Sequence, residues 1–212
     1  MTYTRGVFRL LEVIESKLKE EWISLDNVWI SPSGSPFPNT GYFGGGQPGP
    51  RTTMDKVTYS SDTTAAVPGA ALSAARYGLA ATGNSTNGYF GGGTPGPRST
   101  MDKIDYATDT RLAAIPGANL SVARSFLAAT GSSTAGYFGG GNPGIRSTVD
   151  KIDYATDTRL APIPGARLSV ARSSLAATGS STAGYFGGGD PGTFSTMDKV
   201  TYSTDTTAAV PG

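Results

Sequence analysis

Aspartate recurs at regular spacing: Asp102, Asp105 and Asp109 return 48 residues later as Asp150, Asp153 and Asp157. Three carboxylates this close in sequence could supply oxygen ligands to calcium. The Asp-Thr pairs at Asp109-Thr110 and Asp157-Thr158, however, fall between extended segments, where an aspartate closes a turn by bonding its own backbone. That reading is preferred, and neither a metal nor a cofactor is expected. Four Gly-Gly-Gly runs resemble phosphate-cradling loops, yet no Gly-Lys-Ser/Thr follows and no helix begins there. Arg76, Arg124 and Arg172 each follow Leu-Ser-x-Ala. An arginine repeated in so compact a motif reads as a structural hydrogen-bond donor between repeats before it reads as a ligand clamp.

No catalytic constellation emerges. The chain has no histidine to activate a serine, and Lys56, Lys103, Lys151 and Lys199 occupy one equivalent strand position. Glutamate is absent after Glu21, so a glycosidase-type carboxylate pair would have to be built from aspartate alone. The chain is therefore expected not to be an enzyme. It also lacks cysteine, which excludes a disulfide framework and thiolate zinc. With 17 basic and 16 acidic side chains its net charge is +1, far from the footprint of a nucleic-acid binder.

The elements that position these residues are set by an internal repeat. Gly-Tyr-Phe-Gly-Gly-Gly begins at Gly41, Gly88, Gly136 and Gly184, with spacings of 47, 48 and 48 residues. Of the 30 glycines, 27 fall at equivalent repeat positions, so they are placed turn residues and not flexible filler. Residues 88–135 and 136–183 differ at six of 48 positions, which points to recent duplication.

Residues 1–34 form a leader and linker of different composition, holding all four glutamates. Val7, Leu10, Leu11, Ile14 and Leu18 recur at helical spacing and predict an amphipathic helix over about residues 6–22, ending at Trp22. Arg9, Glu12 and Glu15 interrupt the apolar run that a signal peptide would need. No stretch reaches the roughly 18 apolar residues of a membrane span. The polar face is mixed in sign, so docking on a partner protein or on the repeats themselves is a simpler reading than lying on a membrane surface.

Residues 35–212 divide into repeats 41–87, 88–135, 136–183 and 184–212. Each parses into four short extended segments: A as in 174–178, B as in 183–187, C as in 148–155 and D as in 159–163. Turn chemistry separates them: Gly-Ser-Ser-Thr, Gly-Asn-Pro-Gly, Thr-Asp-Thr and Pro-Gly-Ala. The expected class is all-β, with four four-stranded antiparallel blades behind a short α-helical leader.

The residues that follow the blade pattern are Gly139-Gly140-Gly141, Tyr154, Asp157-Thr158, Pro164 and Arg172, with equivalents in the other copies. This order resembles the kelch repeat of β-propellers over about residues 41–212. Leu112, Leu160 or alanine-rich sequence stands where the kelch tryptophan is usual. More narrowly, Gly-Tyr-Phe-Gly-Gly-Gly repeats behind a helical leader are similar to kelch-like repeats in tail-fibre and other structural proteins of marine bacteriophages, including cyanophages. The resemblance implies a small propeller, an open arc or part of a ring completed by other chains, with room for a homo-oligomer.

In a four-stranded antiparallel blade the B–C and D–A connections emerge at one end. The copies differ mainly there, at Gln47, Pro50, Thr94, Pro97, Asn142, Ile145, Asp190, Thr193 and Phe194 in the B–C connections and at Asn119 and Arg167 in the D–A connections. These residues are the expected binding surface. The function the resemblance implies is a non-enzymatic virion component, a tail fibre or tail-associated protein made in the host cytoplasm. Its helix would dock on other virion proteins and its loops would meet a host-surface glycan or protein, with no nucleic acid as partner. The alternatives are an intracellular kelch-type interaction adaptor and a carbohydrate-active propeller.

Overall fold

The computed structural model describes residues 39–160, 165–192 and 194–210. The chain divides after Asn39. The helix expected from Val7, Leu10, Leu11, Ile14, Leu18 and Trp22 lies outside the described residues, and so does Thr193.

The unit beginning at Thr40 is all-β, with two single-turn 3-10 helices at Pro68–Ala70 and Pro116–Ala118 and no α-helix among the described residues. Its strands form four antiparallel sheets, each a meander in chain order. The first holds β1 (Thr40–Gly44), β2 (Met54–Thr58) and β3 (Thr63–Ala66). The second holds β4 (Tyr77–Gly83), β5 (Asn87–Thr94), β6 (Met101–Asp105) and β7 (Thr110–Arg111). The third holds β8 (Ala128–Gly131), β9 (Ala135–Gly139), β10 (Val149–Asp153) and β11 (Thr158–Arg159). The fourth holds β12 (Ala176–Gly179), β13 (Ala183–Gly187), β14 (Met197–Thr201) and β15 (Thr206–Val210).

The sheets are out of phase with the sequence repeats. Repeat 136–183 gives β9, β10 and β11 to the third sheet and β12 to the fourth. The first sheet has three described strands where four were expected. Each D–A connection thus carries the chain from one sheet into the next and ties the two together.

Period-two alternation in the Gly-Tyr-Phe-Gly motif gives the B strand two buried faces. Tyr89 turns toward the third sheet and stacks on Tyr154 at 4.6 Å between ring centroids. Phe90, its neighbour, turns the other way into a cluster with Met54, Val67, Ala70 and Leu72. Tyr42 stacks on Tyr106 and Tyr137 on Tyr202 in the same manner, at 4.6 and 4.9 Å. Both faces of the inner sheets are covered, which is why the B strands read as apolar or glycine throughout.

Glycine is required where that packing is tightest. A Cβ on Gly91 would lie 2.7 Å from Met101 Cε and 3.2 Å from the Phe138 ring of the next sheet. Gly92, within β5, and Gly140, just after β9, adopt φ of +76° and +71° against the carbonyls of Arg124 and Arg172.

Candidate functional site

Antiparallel alternation places the B–C and D–A connections at one end, and backbone hydrogen bonds lock them together there. Leu72 N–H donates to Thr52 O and Arg76 N–H to Arg51 O, both at 2.9 Å. The next sheet repeats this: Leu120 N–H donates to Ser99 O at 2.8 Å and Arg124 N–H to Arg98 O at 2.9 Å. In the third, Leu168 N–H donates to Ser147 O at 2.8 Å and Arg172 N–H to Arg146 O at 3.0 Å. Each B–C connection opens with a cis proline, at Gln47-Pro48, Thr94-Pro95, Asn142-Pro143 and Asp190-Pro191.

The residues expected to form the binding surface are brought to this end with unequal freedom. Gln47, Pro50, Pro97, Arg167 and Asp190 are exposed, while Thr94, Asn119, Asn142, Ile145 and Phe194 are half-buried. Thr94 ends β5 opposite Tyr77. Asn142 bridges Ser125 through paired backbone bonds of 2.8 Å, and its Nδ2 donates to Ser173 Oγ at 3.0 Å. Asn119 offers its carbonyl to Arg159 Nε at 3.0 Å. Phe194 lies under the Arg172 guanidinium, 5.8 Å from ring centroid to Cζ. The Asn142 and Phe194 side chains thus support the loops as well as lining them.

Arg76, Arg124 and Arg172 lie fully buried beneath the loops. Each side chain donates from its own repeat into the next, and because the sheets are out of phase with the repeats, its partners lie in the sheet that the arginine leads into. Arg124 Nη2 donates to Asp150 Oδ2 at 2.7 Å and to Phe138 O at 3.0 Å, and Nη1 donates to Thr148 Oγ1 at 2.7 Å. Arg76 makes the same bonds to Asp102, Phe90 and Thr100, and Arg172 pairs with Asp198. Burial pulls the Arg76 and Arg124 guanidinium pKa down, and the adjacent carboxylate only partly opposes it. The bridge to the neighbouring sheet is made by the arginine backbone.

The sequence reading passed over Arg51, Arg98 and Arg146, which pair across isolated bridges with Arg76, Arg124 and Arg172. The recurring Pro-Gly-x-Arg was the signal available for them, and in the fourth copy Phe194 takes the arginine's place. Asp102, Asp150 and Asp198 neutralise the buried arginines, and the other charged residues at this end include Arg51, Arg98, Arg146 and Arg167 against Asp55 and Asp190. The Nε donors of Arg98 and Arg146 have no hydrogen-bond partner among the described residues.

The other end of the sheets gathers aspartates, which divide their work differently from the sequence reading. Asp105 and Asp153 close the C–D turns. Asp105 Oδ1 accepts from Ala107 N at 2.8 Å and Thr108 N at 2.9 Å, and Asp153 Oδ1 from Ala155 N and Thr156 N at 2.9 Å each. Bonds from Thr108 and Thr156 hold these two carboxyls below the usual carboxylate range. Asp109 and Asp157, which were expected to close their own turns, instead reach the preceding sheet. Asp109 accepts from Tyr42 Oη at 2.5 Å and pairs with Lys56 at 2.9 Å. Asp157 does the same with Tyr89 at 2.6 Å and Lys103 at 2.8 Å, and Asp205 with Tyr137 at 2.5 Å and Lys151 at 2.9 Å. Burial, reinforced by the bonded carboxylate, pushes the Tyr42, Tyr89 and Tyr137 phenols well above their usual range.

No cluster of three or more acidic side chains able to hold a metal forms among the described residues, and no helix among them is long and apolar enough to cross a membrane. Comparison with protein-family models finds no match to this chain, and comparison with curated proteins finds none either.

Proposed function

We propose that this chain is a non-enzymatic recognition protein whose B–C and D–A loops bind an acidic surface glycan. The observation that carries this reading is the concentration of copy-to-copy variation on loops at one end of an otherwise repeated scaffold. Arg51, Arg98, Arg146 and Arg167, opposed at that end by Asp55 and Asp190 among the described residues, supply the charge that favours an anionic partner. The resemblance to kelch-like phage repeats supports a propeller-like blade arrangement and a place in a virion tail. In that setting residues 1–34 dock on the particle and the loops face the host.

The test is binding of the purified chain to arrays of acidic and neutral surface polysaccharides. Joint replacement of Gln47, Pro97 and Arg167 by serine should abolish binding and leave the melting temperature within about 2 °C of the parent, since these side chains are exposed. Phe194 and Asn142 are poor probes, because both are tied to the scaffold. Unaltered binding overturns the assignment of the face. Detection of the chain by mass spectrometry in purified virions tests the setting, and turnover of a bound polysaccharide would replace recognition with catalysis.

A further inference from the structure

The contact between successive sheets is built three times from the same parts. One partner offers a cross-strand pair, Tyr42 with Lys56, Tyr89 with Lys103 or Tyr137 with Lys151. The other inserts a C–D-turn aspartate, a tyrosine that stacks on the first partner's tyrosine, and a phenylalanine. That phenylalanine packs against a small, glycine-floored site, as Phe138 does on Gly91 and Phe186 on Gly139.

The two outermost sheets carry the unmatched halves of this contact. On the first sheet Phe43 is 66% and Tyr59 55% exposed, whereas their equivalents Phe90, Phe138 and Phe186 are buried and Tyr106, Tyr154 and Tyr202 stack. Asp62 holds the same positive φ as Asp109, Asp157 and Asp205, yet is exposed and bonds no lysine or tyrosine among the described residues. On the fourth sheet Tyr185 faces Lys199 across the strands, as in the three complete pairs, but no aspartate among the described residues reaches them. Met197 is 42% exposed where Met54, Met101 and Val149 are buried, and a Cβ on Gly187 would meet only Met197.

Stacked repeat proteins normally end on polar capping faces. Here neither outer face has been altered: both keep the aromatic, glycine and charged residues of an interior contact, with acid on one and base on the other. Exposed aromatic groups ringed by complementary charge mark an association surface. We infer that the first sheet of one chain docks on the fourth sheet of a second copy. In that contact Asp62 pairs with Lys199 and Tyr185, Tyr59 stacks on Tyr185, and Phe43 seats on Gly187 and Met197. The contact is heterologous, so it builds a ring if the rotation closes and a filament if it does not. It is independent of what the loops bind.

Sedimentation velocity of the full chain across a concentration series tests this. The parent chain should show mass that grows with concentration. Asp62→Lys and Lys199→Asp should each weaken association about tenfold or more, because like charges then face each other. Phe43→Asp should do the same from the apolar side. All three positions are on the open faces, so circular dichroism should be unchanged. The decisive result is an equimolar mixture of Asp62→Lys and Lys199→Asp chains, where every mixed contact is again complementary and association should return. A parent chain that stays monomeric throughout, or a mixture no better associated than its components, overturns the proposal.

Discussion

The hydroxyl of Tyr89 donates to the Asp157 carboxylate at 2.6 Å, joining residues 68 positions apart across two sheets. Lys103 completes the site at 2.8 Å, so one carboxylate in a left-handed turn takes both a phenol and an ammonium from the sheet before it. The same arrangement at Asp109 and Asp205 makes this the repeated unit of cohesion between sheets.

Asp157→Asn keeps an acceptor and tolerates the positive φ, but removes the charge opposite Lys103. It should destabilise the chain by about 1–2 kcal/mol in urea unfolding. Asp62→Asn, in the equivalent turn with no lysine or tyrosine partner among the described residues, should stay within about 0.5 kcal/mol at concentrations where the protein is monomeric. Equal losses at both positions would show that the turn, and not the contact between sheets, sets the energy.

Removing the guanidinium of Arg124 strands a buried carboxylate. Arg124→Met should cost about 3–5 kcal/mol, because Asp150 would then be left charged and unpaired in the interior. Adding Asp150→Leu should recover part of that loss instead of deepening it, and a double-mutant cycle measures the coupling. Simple additivity would argue that the pair is not coupled.

Two equivalent glycines should respond oppositely to one methyl group. Gly91→Ala drives a Cβ into Met101 and Phe138 and should cost about 1–3 kcal/mol. Gly187→Ala, whose nearest contact is Met197 at 3.7 Å, should be neutral or slightly stabilising, since alanine loses less backbone entropy than glycine. Thermal melts of the two variants check this directly.

Stability should fall at both pH extremes by different groups. Burial pushes Tyr106 up from 10.0 to about 12. Its contribution is fully present below pH 10 and is lost as pH rises toward 12, because the unfolded chain releases the phenolic proton first. Tyr106→Phe should flatten that alkaline decline. Asp109 behaves in the reverse sense: burial raises its pKa, but the bonds from Tyr42 and Lys56 outweigh burial and leave it lowered. Its contribution is present above the ordinary value of 3.8 and is lost as pH falls through the depressed one. Asp109→Asn should remove that acid-dependent part of the unfolding curve.

The sequence by itself determined the local structure. The spacing of Gly-Tyr-Phe-Gly-Gly-Gly, the alternation of Ile152 and Tyr154, and the turn residues between segments set the all-β class, and segment B at 183–187 coincides with β13. Alternation also sufficed to place the B–C and D–A loops at one end, because strand direction reverses at every turn. Pairing between sheets was not legible. Asp109 bonds Lys56 and not Lys103, although the two lysines sit in equivalent positions, and nothing in near-identical repeats distinguishes one from the other. That Arg124 and the Asp150 it bonds lie in one sheet, and that the second, third and fourth sheets each take their A strand from the preceding repeat, were hidden for the same reason. A periodic sequence specifies what each repeat can bond to; stacking order decides which copy supplies the partner. It is stacking, too, that leaves Phe43 and Asp62 on one outer face and Tyr185 and Lys199 on the other.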